Sequence, residues 1–220
     1  MTDPNSFLFR IASHICHQDP ARCLFAGNRL LPLCSRCTGL YIGFLASFLF
    51  LWATSLRKKF LHCSKKVSLI SSVLFFIFLA EGFLSFKGIS NTGNKARLLL
   101  GLLGGSSLGI FSFGLINYSI RGKTYFGKAT FSSRNLLFLF LAIFSLFFVK
   151  IFLNPPFLFY FWYTVSFLGL FFTYTAANLA VVSVFLAGTN RKGKSFNRKL
   201  VFYTSLLLVL EVLIIGFLRR

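Results

Sequence analysis

Four of the five cysteines of this chain, Cys16, Cys23, Cys34 and Cys37, fall near its start, and the fifth is Cys63. The segment reads Cys16-His17-Gln18, then Cys23, then Cys34-Ser35-Arg36-Cys37. A C-x-x-C pair carries two sulfurs to within bonding distance of one ion or of each other. An upstream Cys-His dipeptide supplies the other donors of a four-ligand site. Three chemistries fit this spacing. Cys16, Cys34 and Cys37, with His17 or His14, would bind zinc or a similar metal, for which thiolates are suitable soft ligands. Cys34 and Cys37 alone would form a redox pair that exchanges electrons with a quinone or a partner thiol. Pairing Cys16 with Cys37, or Cys23 with Cys34, would give structural disulfides. Arg36, between two cysteines, favours thiolates electrostatically, which serves the first two chemistries alike. Cys63 lies in a basic stretch and reads as a free loop thiol.

Composition sets the elements that position these residues. The chain has 220 residues, of which 56% are hydrophobic and 32 are Phe. Its mean hydropathy is +0.75. Against 24 Lys and Arg stand only 4 acidic residues, Asp3, Asp19, Glu81 and Glu211, for a net charge of +20. A soluble domain needs a more densely charged surface, and a disordered chain is poor in aromatics. The positive charge would suit nucleic acid. Its placement does not: the basic residues cluster between long apolar runs, as in a protein that crosses the bilayer repeatedly. Nucleic acid is therefore not an expected partner, and the lipid bilayer is.

The predicted fold is an all-α polytopic integral membrane bundle of about six transmembrane helices with a Cys-rich N-terminal cap. Residues 1–37 form the cap segment and residues 38–220 the transmembrane domain. A span needs about 20 apolar residues. Six runs qualify: about Thr38 to Leu56, Val67 to Phe86, Ala96 to Ile120, Asn135 to Leu153, Phe157 to Gly188, and Leu200 to Leu218. The runs are continuous, without the two-residue alternation of a barrel. Phe7 to Ile15 reads as a short helix lying at the interface. No basic-then-apolar stretch precedes a cleavage site, so no signal peptide is expected.

The loops after the first, third and fifth spans hold the denser positive charge, as in Arg57, Lys58, Lys59, Lys65 and Lys66. The positive-inside rule then places the chain in the cytoplasmic (inner) membrane as a multi-pass protein. Both termini and the cysteine segment lie outside the cytoplasm. Whatever the absolute orientation, Glu81 at the end of the second span and Arg97 at the start of the third share a face with the cysteines. The two are expected to pair, because an ionised Glu near hydrocarbon is costly alone. A polar cavity roofed by the cysteine segment would be lined by Asn91 and Asn94, with Tyr160, Trp162 and Tyr163 nearby. Glu211 is a second membrane acid, whose partner the sequence does not name. Gly101, Gly104, Gly105 and Gly109 give the third span a small-residue face for close helix packing.

The string CHQDPARC, followed by CSRCTGLYIG, resembles a bacterial and archaeal family of small membrane proteins of unknown function. That family's pattern is Cys-His-Gln, a later Arg, then Cys-x-Arg-Cys-Thr-Gly-x-Tyr-x-Gly at the start of a membrane helix. Its positions here are Cys16, His17, Gln18, Cys34, Arg36, Cys37, Thr38, Gly39, Tyr41 and Gly43, with the later Arg near Arg22. The resemblance implies that Cys23, where the family more often has Ser, is outside the site. A weaker block resembles Glu81-Gly82, Asn91 or Asn94, Arg97 and Gly101. The resemblance covers roughly the first 110 residues and implies a shared membrane fold and site, without a reaction.

The leading functional expectation is a Cys/His metal site, zinc first, at the outer end of the first helix, with Cys16, His17, Cys34 and Cys37 as ligands. Gln18, Arg22, Arg36, Tyr41, Glu81, Asn91, Asn94 and Arg97 are further polar candidates. A closed four-ligand ion would be structural, and an open position would activate water or polarise a lipid phosphate. The rivals are a quinone-linked thiol–disulfide oxidoreductase using Cys34 and Cys37, and a small-molecule or ion transporter. A lipid, a quinone or another small molecule is the corresponding ligand. No phosphate-binding glycine loop, serine triad or H-E-x-x-H sequence is present.

Overall fold

The computed structural model describes residues 12–13, 15–26, 29–57, 62–121, 130–131, 139–140, 144, 158–186 and 194–217. A hairpin of β1 (Cys23–Ala26) and β2 (Arg29–Cys34) follows a 3-10 turn, Pro20–Arg22. The helices are α1 (Ser35–Arg57), α2 (Lys65–Phe86), α3 (Asn94–Arg121), α4 (Leu158–Leu186) and α5 (Lys194–Phe217). Within the described residues, four of them are long and apolar enough to cross a membrane: α1, α2, α3 and α4. Helix α5 contains a shorter apolar stretch, Phe202–Glu211, among the residues whose side chains are described. The fourth expected span lies outside the described residues except for Leu139, Phe140 and Phe144, which are helical. The interfacial helix expected before Cys16 is described only at Ala12, Ser13 and Ile15, also helical. His14 lies outside the described residues.

Helices α1, α2 and α3 begin slightly before the apolar runs because their first turns are polar. Ser64 caps α2, its Oγ accepting from the Val67 N–H at 3.3 Å. At the far end, Gly88 takes φ +73°. There the Ile89 N–H donates to the Leu84 carbonyl at 3.0 Å and the Gly88 N–H to the Ser85 carbonyl at 3.3 Å. This 6→1 and 5→2 pair is the Schellman closure that a glycine just past a helix permits. It turns the chain back into α3 in the seven residues, 87–93, that α2 and α3 leave between them.

The centre of the bundle is α1, α3 and α4, with α2 packed on α3 and α5 on α4. Glycines bring α1 and α3 backbone to backbone. A Cβ at Gly105 would sit inside the Leu40 carbonyl, one at Gly101 inside the Arg36 carbonyl, and one at Gly43 inside the Leu102 carbonyl. The small-residue face expected on the third span is therefore a helix seam, except that Gly104 turns to Phe78 of α2. Leu98, Leu102, Ile110, Phe113 and Trp162 fill the core beside it. Helix α2 presents Leu69, Phe76 and Phe83 outward, the surface a bilayer would cover. In α4, Asn178 donates to Glu211 of α5 at 2.9 Å, which supplies the partner the sequence left unnamed.

The two ends of the bundle sort as the topology requires. Residues 62–63 pair in parallel with residues 130–131, which joins the loop after α1 to the loop after α3. At the opposite end the cap touches the start of α3 and of α4. Asn94 Nδ2 donates to the Ala21 carbonyl at 3.0 Å and the Cys23 carbonyl at 3.2 Å. Arg29 Nη1 donates to Tyr160 Oη at 2.9 Å.

Candidate metal centre

Three local devices bring the cysteines together. The helical turn before Cys16 ends with the Cys16 N–H donating to the Ala12 carbonyl at 2.8 Å. Gln18 then takes φ +50°, a left-handed conformation uncommon outside glycine, which reverses the chain just after Cys16-His17. The Gln18 amide secures the reversal by donating to the Pro32 carbonyl at 3.1 Å. Strand β2 returns to deliver Cys34, and the first turn of α1 delivers Cys37. The Cys34 N–H donates to Cys16 Sγ at 3.2 Å.

The sulfurs of Cys16, Cys34 and Cys37 all lie within 4.8 Å of one another. Thiolates about a tetrahedral zinc, each at about 2.3 Å, stand roughly 3.8 Å apart, so this triangle closes on such an ion with small movements. Cys16 is buried, and Cys34 and Cys37 are half-buried. Hydrogen bonds from the Cys34 and Cys37 side chains hold the Cys16 thiol far below the usual thiol range, and backbone N–H groups of Gln18 and Cys34 add to this. The same contact with Cys16 raises Cys34. One sulfur is thus set to carry charge while its neighbours donate to it. Burial pushes the Cys23 thiol up to about 12, and Cys23 stands outside the triangle. Tyr41 is buried against the cysteines, with Tyr163 and Tyr174 beside it.

A cavity of about 460 Å³ opens beside the cluster. Its lining includes the three cysteines, His17, Asp19, Arg22, Arg36 and Arg97. His17 is exposed there and is not one of the clustered donors. Asn91, Asn94, Tyr160, Trp162 and Tyr163 do not line it. The expectation of a cavity built from those residues is corrected: Asn94 is a tether to the cap, Asn91 is exposed, and Tyr160 holds Arg29.

The expected Glu81–Arg97 ion pair is also corrected. Glu81, 8% exposed, meets Arg36, with Nη2 and Oε2 at 2.6 Å. Arg97 reaches Thr92 Oγ1 through Nε and Ser85 Oγ through Nη2, each at 3.3 Å. Thr92 donates in turn to Glu81. Proximity in the topology was right, but Arg36 comes off the first turn of α1 straight at Glu81, beside Gly82. Glu81→Gln leaves the Arg36 charge without its counter-ion and is expected to cost about 3 kcal/mol. The check is the unfolding midpoint in detergent, with a double-mutant cycle to Arg36→Gln. Additive losses would show that the two do not interact. Arg22 pairs with Asp19 at 3.1 Å, both side chains exposed, so it too is held locally. Sequence reasoning missed Thr92 and Ser85, because isolated hydroxyls carry no pattern.

Residues 16–111 match the model of a family described as a predicted membrane protein, DUF2085. An uncharacterized protein of Methanothermobacter thermautotrophicus is 31% identical over 99 residues, which is 45% of this chain and 85% of the relative. No solved structure matches. The family match begins at Cys16 and spans the cluster, the Arg36–Glu81 pair, Arg97 and the glycine seam.

Proposed function

The chain belongs to this family of predicted membrane proteins, and from that premise we propose that it holds a zinc-like metal ion at the mouth of its first helix. The observation that carries the reading is the triangle of sulfurs from Cys16, Cys34 and Cys37. His17, the imidazole lining the adjacent cavity, is the proposed fourth ligand and would swing inward to close a tetrahedral site. A closed site fixes the cap on α1, and an ion with an open position would act on a substrate in the cavity as a Lewis acid. Six membrane spans, with the run near Asn135 to Leu153 and α5 completing the set, are part of the same proposal.

Metal analysis of the full chain purified in detergent, combined with thiol counting, tests this. About one zinc per chain with the cluster thiols reduced supports it. A metal-free protein with a Cys34–Cys37 disulfide would replace it with the quinone-linked thiol–disulfide oxidoreductase. A metal-free protein with all thiols reduced would overturn both and leave the transporter.

The proposed orientation has the cluster outside the cytoplasm and the loop containing Cys63 inside, in the inner membrane. An impermeant maleimide added to intact cells, after chelation and mild reduction, is expected to label Cys34 and spare Cys63. The reverse labelling would invert the orientation without separating Glu81 and Arg97 from the cluster, since all three stand at one end of the bundle.

A further inference from the structure

Arg97 is 6% exposed and lines the cavity beside the cysteines. A guanidinium taken so far out of water needs a compensating anion. The other arginines of the cavity have theirs: Arg22 has Asp19 and Arg36 has Glu81. Among the described residues no carboxylate pairs with Arg97, and its hydrogen-bond partners are the neutral hydroxyls of Thr92 and Ser85. Those two contacts occupy Nε and one terminal nitrogen and anchor the planar group in place. The Arg36 Nε–H is also buried without an acceptor among the described residues. The cavity is therefore lined by one guanidinium without a carboxylate partner and by a second that keeps an unused buried donor. His17 stands at its exposed side, and the apolar Ile15 and Phe86 also line it, Phe86 being 80% exposed.

We infer that this cavity binds a phosphate group, held by Arg97 with Arg36 beside it. Guanidinium groups match phosphate in geometry as well as charge, and several oxygens on one phosphorus allow it to meet both arginines at once. The apolar lining, at the end of a helix whose flank is bilayer surface, suits a phosphate carried on a lipid headgroup, and the arginines would hold free phosphate by the same contacts. The inference goes beyond the metal reading and does not depend on it. Arg97 and Arg36 are held by Thr92, Ser85 and Glu81, not by the cysteines.

The test uses the full chain in detergent and in nanodiscs, at constant ionic strength, with metal content measured on every sample. Inorganic phosphate is expected to raise the unfolding temperature in a saturable way that equimolar acetate does not reproduce. Arg97→Lys keeps the charge but loses the planar fork, and should weaken the phosphate midpoint about tenfold. Arg29→Gln, at a residue outside the cavity, should leave the midpoint unchanged. In nanodiscs, phosphatidic acid against phosphatidylcholine identifies the source. Stabilisation by phosphatidic acid alone makes the ligand a lipid headgroup, and an equal response to free phosphate makes it the soluble anion. No specific response to either overturns the inference, as does an Arg97→Lys protein that binds phosphate as well as wild type. If phosphate has no effect and Arg97→Gln loses metal, Arg97 is instead the counter-charge of the thiolates. A wild-type protein that binds phosphate but carries no metal would sink the metal reading alone.

Discussion

Cys34→Ser and Cys37→Ser are each expected to reduce metal content from about one ion per chain to near zero. Each removes a thiolate from a triangle whose three sulfurs stand within 4.8 Å of one another. A serine hydroxyl is a far poorer zinc ligand than a thiolate, and losing one of three close donors leaves no rigid chelate. Cys16→Ser should do the same and also break the cap, since Cys16 Sγ accepts from the Cys34 N–H. Cys23→Ser should retain the metal, because Cys23 pairs across the hairpin with Cys34 in register but does not belong to the sulfur triangle. His17→Ala is expected to lower the affinity rather than abolish binding. Elemental analysis of the five variants purified in parallel decides the matter. Full metal retention in Cys34→Ser would remove the cysteines from the site altogether.

Gly105→Ala is expected to destabilise the bundle by about 1–3 kcal/mol, and Gly105→Val to prevent accumulation of folded protein. The added methyl would lie inside the Leu40 carbonyl, which is backbone, so no side chain can rotate away and the two helices have to separate. Gly114→Ala on the same helix is the control. A Cβ at Gly114 meets nothing within 4 Å. There the better helix propensity of Ala should stabilise by up to about 1 kcal/mol. Unfolding midpoints in one detergent compare them directly. Equal behaviour of the two alanine variants would mean that the seam does not govern stability.

Much of this arrangement was legible in the sequence, for definite reasons. Apolar runs announce α1 to α4 because hydrocarbon thickness dictates their length, and the glycines of the third span announce close packing because small residues have little other use at that spacing. The C-x-x-C pair with Cys16 upstream located the cluster, since cysteines are rare here and their spacing is constrained by bonding distance. The partner of Glu81 was not legible. Arg36 and Arg97 stand at the same end of the bundle, and the choice between them depends on side-chain direction across a helix crossing, which sequence order does not encode. Asn94 was singled out as polar and near the site, but its role as a clamp on the cap depends on two carbonyls, and every residue has one. The sixth expected run, about Leu200 to Leu218, falls on α5, which spans Lys194–Phe217 and begins with basic turns ahead of its apolar residues.

The seam between α1 and α3 also decides where the molecule has any give. Two helices whose carbonyls rest on each other's glycines cannot slide by even one residue, about 1.5 Å, without driving a side chain such as Leu40 or Leu102 into backbone. The wall of the site that carries Cys37, Arg36 and Arg97 is therefore stiff, and it cannot act as a gate. Helix α2 leans on α3 from one side and reaches the cap end through Glu81 and Phe86. A group entering the cavity from that flank would pass Phe86, where the Arg36–Glu81 contact ties α2 to the first turn of α1.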